Sequence, residues 1–154
     1  AIELSSSEKK EFIEALNGDI YTFSSPKKKY IILRLDSFLG DGGAVYDSNV
    51  LTIEHVLPQT VDPKSQWAKD WQDVAERESW VHKIANLFPL NKTRNVVASN
   101  HDFKKKIKAY FDGNKKVSTY ALTTQIINAK EWTPGTVKKR QKDLMKIFKD
   151  NWEL

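Results

Sequence analysis

Two short runs in this 154-residue chain are its best strand candidates; almost every other patterned segment has helical spacing. The first run is "VLTIEHV", residues 50–56, and the second is "KIANLFPLN", residues 83–91, a short apolar stretch bracketed by asparagines. Two strands allow one hairpin. The predicted fold class is therefore α+β, mainly helical, with helices packed around that small unit.

The helical segments announce themselves by their caps. "SSSEKKEFIEALNG" offers a capping box from Ser5 to Glu8, apolar residues at Phe12, Ile13 and Leu16, and Asn17-Gly18 as a stop, predicting a helix over about 5–17. "SSPKKKYIILRLDSFLGDGG" has Ser25 as a cap, Pro26 at the first helical position and Gly40 past the end. Its "YIIL" has strand composition, but apolar spacing at 31, 35 and 38 favours a helix. "DPKSQWAKDWQDVAERES" reads as one helix from an Asp-Pro cap, with Trp67, Trp71 and Val74 on one face. "RNVVASNHDFKKKIKAYFDG" reads as helical with a break near Ser99-Asn100. Over about 116–152, "STYALTTQIINAK" and "TPGTVKKRQKDLMKIFKDNW" complete the set, the last turning Val137, Leu144, Ile147 and Phe148 inward from a Thr133-Pro134 cap.

Composition excludes several classes. With 40% hydrophobic residues and five tryptophans the chain folds. No apolar run approaches the roughly 18 residues of a membrane span, and no signal peptide is recognisable, so no membrane partner is expected. The absence of cysteine removes disulfides and thiolate zinc sites and fits a reducing, cytoplasmic setting. The chain opens on helix-like sequence without a Met and reads as one domain, 1–154, from a longer protein. Residues 1–91 carry 10 Lys/Arg against 14 Asp/Glu, whereas residues 92–154 carry 15 against 6. A basic half on an acidic half fits a surface facing a polyanion, though solvated lysine-rich helices explain the charge equally well.

The hairpin holds the chemistry. The first strand ends on Glu54-His55 in "EHVLP"; the second is entered through Asn86 in "NLFPLNKTRN", with Asn95 nine residues on. The two pieces, in this order and spacing, resemble the HNH (His-Me finger) nuclease motif, and residues of about 50–111 would be its ββα-metal core. The resemblance extends to roughly residues 28–148. "EHVLPQ", the Trp-bearing insertion, "HKIANLFPL", "FKKK" and the series Trp132, Val137, Arg140, Leu144 are similar to the C-terminal nuclease domain of GmrSD-type modification-dependent restriction enzymes. Ala85 departs from that pattern, which has Gly before the Asn.

The resemblance implies a DNA endonuclease domain of a restriction or phage-defence system, acting on modified or foreign DNA with Mg²⁺ or Mn²⁺. A nucleotide-hydrolysing sensing domain would lie upstream or on a partner. His55 is then the general base, an imidazole with an ordinary pKa near 6.5 being suited to neutral pH. Asn86 would hold the other ring nitrogen. Glu54 and Asn95 would be the metal ligands, and oxygen donors suit magnesium or manganese. Lys104, Lys105, Lys106 and Arg94 would contact the DNA backbone. Strand alternation sends Glu54 and His55 to opposite faces unless the strand ends there. Asn86 and Asn95 could instead be turn or helix caps. Asn91 and Ser99 are the alternative ligands; His82 reads as a helix-edge residue beside Trp80, His101 as a helix start, and Trp67, Trp71 and Trp132 as core. A catalytically silent DNA-binding module and a helical protein-interaction domain are the rival readings.

Overall fold

The computed structural model describes residues 3–40, 46, 51–91, 102–110 and 120–154. Helix α1 spans Ser6–Leu16, and its capping box forms as the sequence requires: the Ser5 Oγ accepts from the Glu8 amide at 3.3 Å, and the Glu8 carboxylate accepts from the Ser5 amide at 2.8 Å. Leu16 is buried; Phe12 stays 40% exposed against Trp152, so only part of the expected apolar face reaches the core. A 3-10 turn, Ile20–Thr22, leads to α2, Ser25–Leu39. "YIIL" is helical. The cap is Ser24, one residue earlier than the sequence indicated, with Pro26 in the first turn and Gly40 as the stop.

Strand β1, Leu51–His55, pairs antiparallel with β2, Leu87–Asn91, in the register Leu51 to Asn91 through His55 to Leu87. Alternation divides this small sheet between two cores. Leu51, Ile53 and Leu87 join Leu16, Ile20, Ile32, Leu35, Leu144 and Phe148 on one face. Phe88 and Leu90 face Val56, Leu57, Trp67, Trp71, Trp132 and Val137 on the other. Neither face of the hairpin is left to solvent, which is how two strands persist without a larger sheet.

The predicted long helix over the Trp segment is corrected to two. Helix α3, Gln66–Asp70, is capped by Ser65, and α4, Val74–Trp80, by Asp73, whose carboxylate takes the amides of Ala75 and Glu76 at 2.9 and 3.2 Å. An Asp that captures backbone N–H groups starts a new helix instead of continuing the old one. Trp67 and Trp71 remain buried, as expected, but Val74 is 51% exposed. A second 3-10 turn, Ile84–Asn86, enters β2. Helix α5 spans Phe103–Tyr110, and the anticipated break at Ser99-Asn100 lies outside the described residues.

Helix α6, Ala121–Ile127, has no side-chain cap of its own. Asp36 from α2 caps it instead, because its buried carboxylate accepts the Leu122 amide and the Tyr46 hydroxyl, each at 2.8 Å. Helix α7, Pro134–Trp152, starts on Thr133, whose Oγ1 accepts from the Thr136 amide. Val137, Leu144 and Phe148 are buried as the spacing requires, and Ile147 packs half-buried beside them. No described helix is long and apolar enough to cross a membrane.

Helix α7 also clamps the turn before β2. The Gln141 amide oxygen accepts from the Ala85 amide at 3.0 Å, and the Arg140 Nε donates to the Ala85 carbonyl at 3.1 Å. This gives the series Trp132, Val137, Arg140 and Leu144 a physical meaning, since each either lines a core or holds residues 84–86.

Candidate active site

Strand β1 stops at His55 for two reasons. Pro58 cannot donate to a ladder, and the Asn86 side chain captures the bend that precedes it. Asn86 is fully buried. Its Oδ1 accepts from the Leu57 amide at 2.8 Å and from Trp132 Nε1 at 3.0 Å. Its Nδ2 donates to the carbonyls of Leu57 and Val81 at 3.0 and 2.9 Å. An amide side chain has two donors and two acceptor lone pairs, and these four bonds use them all. The expectation that Asn86 holds the His55 ring is therefore corrected: Asn86 shapes the loop that follows His55 and does not bond its imidazole.

The ring nitrogen is met by another histidine. His55 Nε2 lies 3.1 Å from His82 Nδ1, while Gln59 Nε2 makes a long 3.5 Å contact to His55 Nδ1. Tyr21, from the first 3-10 turn, stacks flat on His82 with ring centroids 5.3 Å apart and sets its ring tilted against His55 at 4.1 Å. The Tyr21 amide donates to the His82 carbonyl, and Lys28 Nζ lies 3.8 Å from the Tyr21 ring centroid. His55 itself is 7% exposed. Burial first, then His82, Lys106 and Lys28, hold its pKa down from the ordinary 6.5 to about 3. The imidazole is thus neutral across the physiological range, with a lone pair available.

Glu54 projects to the opposite face of β1, paired across the sheet with Phe88. Its carboxyl is half-buried and accepts from the Thr52 side chain; desolvation raises its pKa, and the charges of Lys106 and Lys28 oppose that. The same two lysines act on His55, so both ionisable groups at the strand end share one electrostatic environment.

Lys106 is the clearest correction. Expected on the DNA surface, it is 2% exposed, and its Nζ donates to the carbonyls of His55 and Val56 at 3.0 and 2.9 Å. Burial lowers its pKa from 10.5 to about 8, with Glu54 pulling the other way. The neighbouring Lys104 and Lys105 are exposed, on the rim of a hollow of about 530 Å³ shared with Asp70, Asp102 and Glu131. Trp132, expected in the core, is 2% exposed.

Arg94, Asn95, Ser99 and His101 lie outside the described residues. Asn91 closes β2 opposite Leu51. Among the described residues no cluster of three or more His, Asp or Glu side chains could hold a metal. Sequence reasoning missed His82 and Tyr21 at the His55 ring, and Lys28 on the Tyr21 ring. The one available signal was that His82 stands four residues before Asn86, in the same run. Tyr21 and Lys28 come from a distant segment with no motif.

Comparison with known families adds one finding. A family model described as "GmrSD restriction endonucleases, C-terminal domain" matches residues 6–147. No curated protein matches the chain.

Proposed function

The chain belongs to the C-terminal domain family of the GmrSD restriction endonucleases, and from that premise we propose that it is a divalent-metal-dependent DNA endonuclease domain of the HNH type. Restriction-endonuclease-type nuclease function follows from the family; the residue roles rest on the geometry. The observation that carries them is His55: a buried, neutral imidazole at the end of a hairpin strand, met on Nε2 by His82 at 3.1 Å and on Nδ1 only by the long Gln59 contact.

In this reading His55 takes a proton from the attacking water. In the free protein its basicity is weak, because burial first, then His82 and the ammonium groups of Lys106 and Lys28, disfavour its charged form. A bound phosphodiester brings negative charge into the same environment and raises the imidazole pKa toward neutrality. Asn86 is a positioning residue, acting through the 55–57 bend it holds.

The donor set fits a hard cation. Glu54 is a half-buried carboxylate beside Lys106 and Lys28, and Asn95 would add an amide oxygen; both types suit Mg²⁺ or Mn²⁺. When bound, the cation would supply positive charge for the negative charge developing on the phosphate. Lys104 and Lys105, being exposed, remain the backbone-contact candidates, with Arg94. A restriction or phage-defence role, modified or foreign DNA as substrate, a separate nucleotide-hydrolysing partner and a cytoplasmic location complete the proposal.

The test is cleavage. Plasmid DNA with Mg²⁺ or Mn²⁺, beside an EDTA control, should be cut by the wild type and not by His55→Ala, with DNA affinity retained. Salt-sensitive binding without cleavage under either metal would make the domain a silent binding module instead.

A further inference from the structure

We propose that His82 is a positioning residue for the reaction, holding the His55 imidazole in one tautomer and one orientation through a ring-to-ring hydrogen bond. The inference rests on the reading of His55 as the base. It is carried by three contacts: the 3.1 Å approach of His55 Nε2 to His82 Nδ1, the Tyr21 ring against both imidazoles, and the Tyr21 amide bonded to the His82 carbonyl.

Two imidazole nitrogens at hydrogen-bond distance must have one proton between them. Two bare lone pairs repel, and two N–H groups clash. Gln59 indicates which nitrogen carries it. Its amide nitrogen stands 3.5 Å from His55 Nδ1, and on that contact we assign Nδ1 as the acceptor and the His55 proton to Nε2, donated to His82 Nδ1. That assignment leaves the Nδ1 lone pair as the basic one, on the side of the ring away from His82, where the attacking water takes the place of the long Gln59 contact. A base is useful only if its lone pair points at the reacting proton, and a free imidazole in water exchanges tautomers and rotates.

His82 is itself fixed from both ends. It lies in the turn between α4 and the Ile84–Asn86 turn, where Asn86 Nδ2 holds the neighbouring Val81 carbonyl. Its ring is stacked on Tyr21 at an interplanar angle of 8°. The pair therefore joins the first 3-10 turn, the β1 end and the β2 entry at one point. An imidazole held only for packing would not need its Nδ1 aligned on His55 Nε2 at 3.1 Å.

The experiment uses the full chain, labelled with ¹⁵N at histidine. In the wild type, the two nitrogens should be scalar-coupled across the hydrogen bond, and His55 should show a single tautomer with the proton on Nε2, assigned by loss of its signals in His55→Ala. In His82→Leu, His55 should become a mixture of tautomers, with kcat for plasmid cleavage down by about tenfold or more and KM unchanged. His82→Asn, whose amide oxygen occupies the place of Nδ1, should restore most of kcat and the single tautomer. A wild type without coupling and with mixed tautomers overturns the proposal even if His82→Leu fails to fold. So does a folded His82→Leu that cleaves at the wild-type rate. If His55→Ala cleaves normally while the coupling is present, the reading of His55 as base falls and the histidine pair stands as structure alone.

Discussion

Lys106 Nζ sits 3.0 Å from the carbonyl oxygen of His55, so a buried ammonium ties helix α5 to the last residue of β1. The same group reaches the Val56 carbonyl at 2.9 Å. Replacing it with Met leaves two buried carbonyls without a donor, each costing about 1–3 kcal/mol, offset in part because a charge no longer has to be desolvated. Lys106→Met should lower stability in denaturant titration at neutral pH by roughly 1–3 kcal/mol. Unchanged stability would mean that the ammonium is not holding the strand end. Its pKa near 8, below the unfolded 10.5, also sets a sign: the folded state sheds this proton first, so stability gains from Lys106 as pH rises through that window. Lys106→Met should lack that gain.

Lys104 and Lys105, on the outer side of the same helix, should behave in the opposite way. Changing both to Gln should leave stability within about 0.5 kcal/mol of wild type. DNA affinity should fall for all sequences alike, and the salt slope should flatten by about one unit for each phosphate that is no longer neutralised. A salt titration with an unaltered slope would assign these lysines to a solvated face.

Acid should unfold the domain partly through His55. Its folded pKa of about 3 lies below the unfolded value, so between about pH 6.5 and 3 the unfolded chain binds a proton that the folded one refuses. The stability this contributes is present above the upper limit and lost progressively as pH falls through the window. In metal-free buffer the wild type should lose stability faster than His55→Gln by up to about 1.4 kcal/mol per pH unit, one proton's worth. Parallel slopes for the two proteins would argue against a buried neutral imidazole.

Asn86→Ala should be a folding mutation before it is a catalytic one. It strips partners from the Leu57 amide, the Trp132 indole and two carbonyls, all buried. The expected loss is on the order of 3 kcal/mol or more, read from thermal or denaturant melts. His55→Ala, which keeps the loop, should cost much less.

Metal binding should respond to the oxygen donors. Glu54→Gln or Asn95→Ala should weaken Mn²⁺ affinity by about tenfold or more in calorimetry, in the absence of DNA. Equal affinity in both variants and the wild type would move the ligands elsewhere, Asn91 and Ser99 being the next to test.

Local signals in the sequence were enough for most of the elements, though not for the division of the Trp segment into α3 and α4. Ser5 and Glu8, Thr133 and Pro134, and Gly40 mark helix ends through contacts within four residues, so the chain alone determines them. The two strand runs and the buried Trp67, Trp71 and Trp132 follow from apolar pattern in the same way. The pairing of His55 with His82, the saturation of Asn86 by Leu57, Val81 and Trp132, and Asp36 as the cap of α6 were decided only by the tertiary structure. A polar side chain's partner depends on which distant backbone arrives beside it, and no local rule encodes that. Lys106 stands between the two cases. It stands three residues after the buried Phe103, on the same helical face, so the spacing did point it inward. The run of three lysines read as a DNA-facing surface only because the carbonyls that accept the Lys106 ammonium, at His55 and Val56, lie some fifty residues earlier in the chain.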